Sequence, residues 1–455
     1  MKNKTYLPRI IDEALLEWKD SPRRKPLLVR GARQVGKSCA VRHLAECFKY
    51  FLEVNLERNP EAIDFFKGSR DVKAIANKLS DFFDVPIVPG ETLLFLDEIQ
   101  KSEDVIHSLW FFKEDYPELH VIAAGSLLEF ALKNLSSFGV GRVSSLFIYP
   151  MSFDEFLVAT GKKGLLKAKQ ESNAEQPLAL PFYEKLVEAF RSFMLVGGMP
   201  EAVATYAQTS SCRYSSDVID EILEGYQDDF AKYSAKANPV LLRKTLISVA
   251  QQTGAKFVYN RVEGQYRSYE VKNALEMLRD AGLIIPAYHT DANGVPLGAE
   301  INERVVKYLI HDNGVMLAIL GIDDDIDDYI KELMVGNSID LVDKGHVAEM
   351  MAGLELIKYS SAQKRHQLYY WQNMNKGTCA EVDYVIAKGG EIIPIEVKSG
   401  VKGSMSSMYS LMRNPQKHIF RGIRCSLENF GTFQSPEDKR IDIVPLYAIS
   451  NIFKK

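Results

Sequence analysis

The sequence predicts an α/β protein: a mainly parallel sheet, then a helical middle, then a second, smaller α/β region. Three observations lead there. The first is "GARQVGKS", a glycine-rich turn between the apolar strand Leu27 to Val29 and an amphipathic helix. The second is "TLLFLDEIQ", a near-continuous apolar run ending in Asp97-Glu98. That is the pattern of a parallel strand covered on both faces, and ligands bind open α/β sheets at the carboxyl ends of such strands. The third is "AEVDYVIAKGGEIIPIEVKSG", residues 380–400, where Gly389-Gly390 joins two apolar strands punctuated by Asp383, Glu396 and Lys398.

At 455 residues the chain exceeds a single core. Domains are expected at 1–159, 181–320 and 335–455, with the polar, weakly periodic segment 160–180 as linker. Apolar content of 46% with 25% charge is that of a folded protein. No run approaches the roughly 20 apolar residues that span a bilayer, and charges occupy the start where a signal peptide needs an apolar stretch. A cytoplasmic protein with no membrane partner is expected. Cys39, Cys47, Cys212, Cys379 and Cys425 are odd in number and never in C-x-x-C spacing, which argues against a disulfide framework or a zinc site. A net charge of -4 excludes a uniformly basic nucleic-acid coat. From Val397 to Leu427, however, there is no acid, while Lys398, Lys402, Arg413, Lys417, Arg421 and Arg424 occur. This stretch is either a nucleic-acid face or a solvated surface.

Gly31, Gly36, Lys37 and Ser38 match G-x-x-x-x-G-K-[ST] in the strand–turn–helix context that this motif requires. The backbone amides of Gly31, Ala32, Arg33, Gln34, Val35, Gly36, Lys37, Ser38 and Cys39, with the helix dipole behind them, would converge on one anion site. ATP with Mg2+ is the implied ligand pair. Lys37 would reach the β- and γ-phosphates and the Ser38 hydroxyl would hold the metal. Asp97 is placed to hold the Mg2+ shell and Glu98 to polarise the attacking water; two acids at a strand end could otherwise begin a helix. A further strand, "LHVIAAGSLLEF", ends in Ser126, a candidate γ-phosphate sensor or a simple N-cap.

In order, "GARQVGKS", "LLFLDEIQ", "AAGSLLEF", "GRV" and "YPMSFDEF" resemble the prokaryotic AAA-type ATPases that carry a C-terminal domain of unknown function. The resemblance covers nearly the whole chain, and only its ATPase motifs are highly specific. It implies that Arg142, in Gly141-Arg142, contacts phosphate in cis or from a neighbouring subunit; a structural ion pair is the other reading. "FMLVGGMPEAV" resembles the same family's Gly-Gly-x-Pro turn, although a helix ended by Gly197 and Gly198 explains it without chemistry. No motif fixes an oligomeric state.

In "RSYEVKNALEMLRDAGLIIPAY", Ser268 can cap a helix with Val271, Leu275 and Leu278 on one face, which Gly282 stops before the strand Leu283 to Ile285. With a helix at 240–252 before it and a strand near Val305 to Ile310 after it, the segment resembles a winged helix. Arg267, Lys272 and Arg279 could then reach DNA, or the module could serve as plain packing.

For residues 380–400 the turn decides the chemistry. A two-residue turn at Gly389-Gly390 pairs Lys388 with Glu391 and sets Asp383 opposite Glu396, with Cβ atoms about 5 Å apart, a spacing that suits one divalent cation. Lys398, two residues on from Glu396, shares that face and could orient or deprotonate a water. The same register sets Glu381 opposite Lys398 as a competing salt bridge. These residues resemble the restriction-endonuclease-like PD-(D/E)xK core, with Val382 where that pattern has proline. The resemblance implies metal binding by Asp383 and Glu396, a helix acid at Glu349, and DNA as a candidate partner; a silent fold and a solvated Glu349 are the alternatives.

Overall fold

The computed structural model describes residues 6–125, 128–134, 141–232, 238–321, 344–373, 380–398 and 403–454. The chain divides into two compact units. Met1–Tyr149, Asp280–Gly282 and Ser361–Arg365 form the first; Pro150–Arg279, Leu283–Ser360 and His366–Lys455 form the second.

The first unit runs α1 (Ile11–Asp20), β1 (Leu27–Arg30), α2 (Lys37–Ala45), β2 (Tyr50–Asn55), α3 (Val72–Phe83), β3 (Thr92–Asp97), α4 (Glu103–Asp115), β4 (His120–Ala124), α5 (Leu128–Asn134) and β5 (Ser144–Phe147). Its five strands are ordered β2-β3-β4-β1-β5 and all pair in parallel. All six residues of β3 are buried, as a strand covered on both faces requires. Leu28, Val54, Leu94 and Leu96 of the sheet join Ile75 and Leu79 of α3 and Leu109 and Phe112 of α4 in one apolar cluster. Asp71 caps α3 and Ser102 caps α4, so both helices start on satisfied amides. Strand β4 lies between β1 and β3, so the glycine-rich turn and the Asp97-Glu98 pair leave the same sheet edge two strands apart.

The second unit opens with α6 (Phe153–Ala159), α7 (Lys163–Glu171), α8 (Leu180–Val196), α9 (Pro200–Thr209), α10 (Cys212–Lys232), α11 (Pro239–Gln251) and α12 (Ser268–Asp280). The segment 160–180 is thus not a linker: it holds α7. Lys169 of that helix is fully buried, paired with Asp154, and donates to Ser450 Oγ at 2.7 Å. The sequence misleads here because the residue that docks the helix is a lysine, and lysines rarely reach the interior without a partner.

The two sequence motifs flanking this region have packing roles. In "YPMSFDEF", Ser152 and Glu155 form a reciprocal cap at the start of α6, and the Phe153 amide donates to Glu355 Oε2 at 3.1 Å. Gly197 ends α8 at φ 73°, and the Gly198 amide donates to Asp312 Oδ2 at 2.6 Å. A side chain on Gly198 would begin 2.2 Å from the Met151 carbonyl oxygen.

After α12 come β6 (Ile284–Thr290), β7 (Ile301–Ile310), α13 (Asn313–Ile319), a helix over Lys344–Lys358, β8 (Leu368–Gln372), β9 (Glu381–Val382), β10 (Tyr384–Lys388), β11 (Glu391–Val397), a helix over Ser406–Arg413, β12 (Arg421–Ser426), β13 (Gly431–Gln434) and β14 (Arg440–Pro445). Two mixed sheets result, β7-β6-β8-β9 and β10-β11-β12-β14-β13. Asp383 sits between β9 and β10, where the chain passes from one sheet to the other. Cys39, Cys47, Cys212 and Cys425 are free thiols, and Cys379 lies outside the described residues. Among the described residues no helix is long and apolar enough to cross a membrane.

Candidate functional site

The glycine-rich turn has the backbone its composition demands. Gly31 lies at φ 150°, Gln34 at 63° and Gly36 at 94°, conformations that glycine tolerates and most residues avoid. A Cβ on Gly31 would stand 2.2 Å from the Ile148 carbonyl oxygen, so the loop can close only over a bare backbone. Ala32 and Val35 are buried beneath the loop, Arg33 is half-buried, and Gln34 and Cys39 face solvent. The Lys37 ammonium donates to the Gly31 oxygen at 3.0 Å and the Ala32 oxygen at 2.7 Å. Burial lowers its pKa to about 8, against the pull of Glu98 and Asp97.

The Ser38 hydroxyl donates to Asp97 Oδ2 at 3.1 Å, and Asn55 Nδ2 reaches the same oxygen at 3.4 Å. Burial and the adjacent Glu98 charge hold the Asp97 carboxyl above its usual range. A hydroxyl, a desolvated carboxylate and a lysine next to an amide-lined loop are the donor set for a metal-bound polyphosphate, and these residues fit ATP with Mg2+. Glu98 stands at φ 56° and ψ 42°, a left-handed conformation costing a non-glycine residue roughly 1–3 kcal/mol. Its carboxylate accepts from Gln100 Nε2. Gln100 in turn packs over Gly125, where an added Cβ would stand 2.1 Å from Gln100 Oε1.

Arg142 pairs with Glu114 of α4 at 2.8 Å on an exposed surface. Ser126 lies outside the described residues. Sequence reasoning missed Arg9, whose guanidinium donates to the Val35 carbonyl oxygen at 2.9 Å and the Tyr149 carbonyl oxygen at 2.7 Å, and so braces the loop from behind. No motif surrounds it; Pro8-Arg9 before the first helix is the only cue.

Residues 23–157 match the family model of an AAA domain. That segment is an AAA-type P-loop domain. Beyond the AAA domain, residues 187–326 match a domain of unknown function (DUF8612), and residues 344–449 match another (DUF4143). Among solved structures, the chain is similar to the Walker-type ATPase of Pyrococcus abyssi, at 15% identity and a TM-score of 0.44, over 70% of this chain and 97% of that one. It is also similar to the Orc1 protein of Aeropyrum pernix, solved in complex with DNA, at 12% identity and a TM-score of 0.29, over 70% of this chain and 92% of that one. No curated protein matches the sequence.

Outside the AAA domain, the third motif folds with the expected register. Lys388 pairs with Glu391 and Tyr384 with Ile395, and Gly389 and Gly390 both have positive φ, as a two-residue hairpin turn requires. Asp383 Oδ2 accepts from the Val397 amide at 2.7 Å. Burial, then the Asp383 charge, raises the Glu396 carboxyl to about 7.

The lysine arrangement differs from expectation. Lys398 bonds Glu396 Oε1 at 2.7 Å, whereas Glu381 pairs with Lys307, so the expected Glu381–Lys398 bridge does not form. Strand β9 pairs with β8, which turns Glu381 toward β7. Glu349 is buried rather than solvated and accepts from Lys307 at 2.8 Å. Among the described residues no three His, Cys, Asp or Glu side chains form a metal-holding group. Glu349 and Glu381 are both held by Lys307, and one oxygen of Glu396 by Lys398, so these acids already carry ammonium partners.

The acid-free stretch is no bare basic face either. Arg413 pairs with Glu437, Arg421 with Glu391 at 3.3 Å, and Arg424 with Glu428 at 2.8 Å. Lys417 is buried against Asn293 Oδ1 at 2.8 Å, and Lys402 lies outside the described residues. The acids come from segments flanking the stretch, which a window confined to it cannot see.

Proposed function

We propose that the chain is a Mg2+-dependent ATPase whose nucleotide state governs its hold on another macromolecule, with DNA the first partner to test. The contact between Ser38 and Asp97, 3.1 Å beside the glycine-rich turn, carries this proposal. Lys37 would leave the Gly31 and Ala32 carbonyls for the β- and γ-phosphates, whose negative charge would favour its protonated form. Mg2+ on Ser38, backed by Asp97, would neutralise charge developing on the phosphates. Glu98, released from Gln100, would orient the attacking water.

The DNA side of the proposal rests on the second unit. The order α11, α12, then the antiparallel β6–β7 pair is that of a winged helix, and Arg267 and Lys272 are exposed. The restriction-endonuclease-like reading of the C-terminal region draws on the Gly389-Gly390 hairpin and the nearby helix acid Glu349. Binding without cutting is the version that the pairing of its acids with lysines favours.

ATP turnover with and without duplex DNA, on wild type and Lys37→Ala, tests the whole. Turnover that Lys37→Ala abolishes and DNA changes is expected. Turnover unaffected by Lys37→Ala would remove the nucleotide site. Turnover indifferent to DNA, with equal DNA affinity in the presence and absence of ATP, would leave an ATPase acting on protein.

A further inference from the structure

The acid cluster around Asp383 contains a cation to which no sequence motif pointed. Lys307, in the middle of β7, is 2% exposed. Its ammonium bonds Glu349 Oε1 at 2.8 Å and Glu381 Oε1, and lies 4.9 Å from the centre of the Tyr370 ring. A buried ammonium is costly unless charges and hydrogen bonds compensate it. Here two carboxylates, an aromatic face and the nearby Asp383 charge do so, and the acids hold Lys307 protonated against its burial.

We propose that the Lys307 ammonium is the resident cation of this cluster, occupying the electrostatic seat a divalent metal would need, so that the cluster takes no divalent ion while Lys307 is in place. Three observations converge on this. Lys307 consumes Glu349 and Glu381, the acids that would complete a ligand set with Asp383 and Glu396. Lys398 consumes one oxygen of Glu396. A divalent ion among these acids would also sit beside a fixed positive charge in a desolvated place, where like charges repel strongly. Glu396 Oε2 is buried without a hydrogen-bond partner. With Lys307 removed, that oxygen, Asp383, Glu349 and Glu381 would be left as uncompensated acids, a negative charge that an oxygen-seeking divalent ion such as Mg2+ or Mn2+ could offset.

The test uses the full-length chain without nucleotide and Mn2+ as probe, with free Mn2+ followed by electron paramagnetic resonance. Wild type and Glu396→Gln should give superimposable titrations. Lys307→Met should gain a Mn2+ equivalent that Lys307→Met/Glu396→Gln lacks. A wild-type Mn2+ equivalent lost in Glu396→Gln would overturn the proposal, as would a folded Lys307→Met that gains none. If Lys307→Met does not fold, Lys307→Met/Glu349→Gln, which removes one charge of each sign, replaces it with the same two outcomes. Nucleotide is absent throughout, so the result is independent of the ATPase reading.

Discussion

Ser38 Oγ and Asp97 Oδ2 lie 3.1 Å apart, joining the start of α2 to the end of β3. These side chains are 59 residues apart in sequence, and what brings them together is the sheet order that sets β3 two strands from β1. Asp97→Asn should keep the hydrogen bond from Ser38 while losing the charge that supports the metal. A fall in Mg2+-dependent turnover of roughly 10–100-fold, with an unchanged thermal midpoint, is expected. Equal turnover in the variant would show that Asp97 does not serve the metal.

Variants at Glu98 and Gln100 should separate the chemical step from binding. Glu98→Gln should retain ATP affinity and lose roughly 10²–10⁴-fold in turnover, the range of a lost general base. Gln100→Ala removes the Gln100 hydrogen bond to the Glu98 carboxylate. Its effect should fall on kcat with little change in nucleotide Kd, which equilibrium binding and steady-state turnover measured together would reveal.

His120 gives the AAA domain an acid-sensitive point. It is buried, with Nε2 3.2 Å from the Lys19 carbonyl oxygen, Nδ1 without a partner, and the Phe48 ring 4.7 Å away. Burial, then the Arg24 charge, lowers its pKa from 6.5 to about 4. Between those values the unfolded chain binds the proton and the folded chain does not. The contribution is therefore fully present above 6.5 and is lost as pH falls toward about 4. Denaturant unfolding at about pH 7 and about pH 5 should show a smaller acid loss in His120→Gln than in wild type.

Gly198 and Gly164 make a matched pair of glycines. An added methyl at Gly198 meets the Met151 carbonyl oxygen at 2.2 Å, whereas at Gly164, in helix α7, it meets nothing within 4 Å. Gly198→Ala should cost about 1–3 kcal/mol. Gly164→Ala should stabilise by roughly 0.5–1 kcal/mol. Opposite signs in the denaturant midpoints check both.

The nucleotide site was legible because its chemistry is local: a loop, a lysine and a hydroxyl lie within eight residues, and the strand bearing Asp97 advertises its burial. The Gly389-Gly390 hairpin was legible for the same reason, since a two-residue turn fixes register by itself. Lys307 was not. Its partners lie 42 and 74 residues away, and a lone lysine in "ERVVKYLI" reads as an ordinary strand charge until β9 and the Lys344–Lys358 helix close over it. Lys169 escaped notice on the same ground. In each case pattern reading assumes that charge faces water, and long-range pairing makes the exception.

Strand β6 is shared property. It pairs with β7 on one side and, in parallel, with β8 on the other, across nearly eighty residues of chain. Any segment cut to end before Leu368 would therefore expose an unpaired β6 rim able to recruit a second molecule edge to edge. Attempts to isolate the α11–β7 module should yield self-associating material, and a force that tilts its helices should carry β8 and β9 along with it.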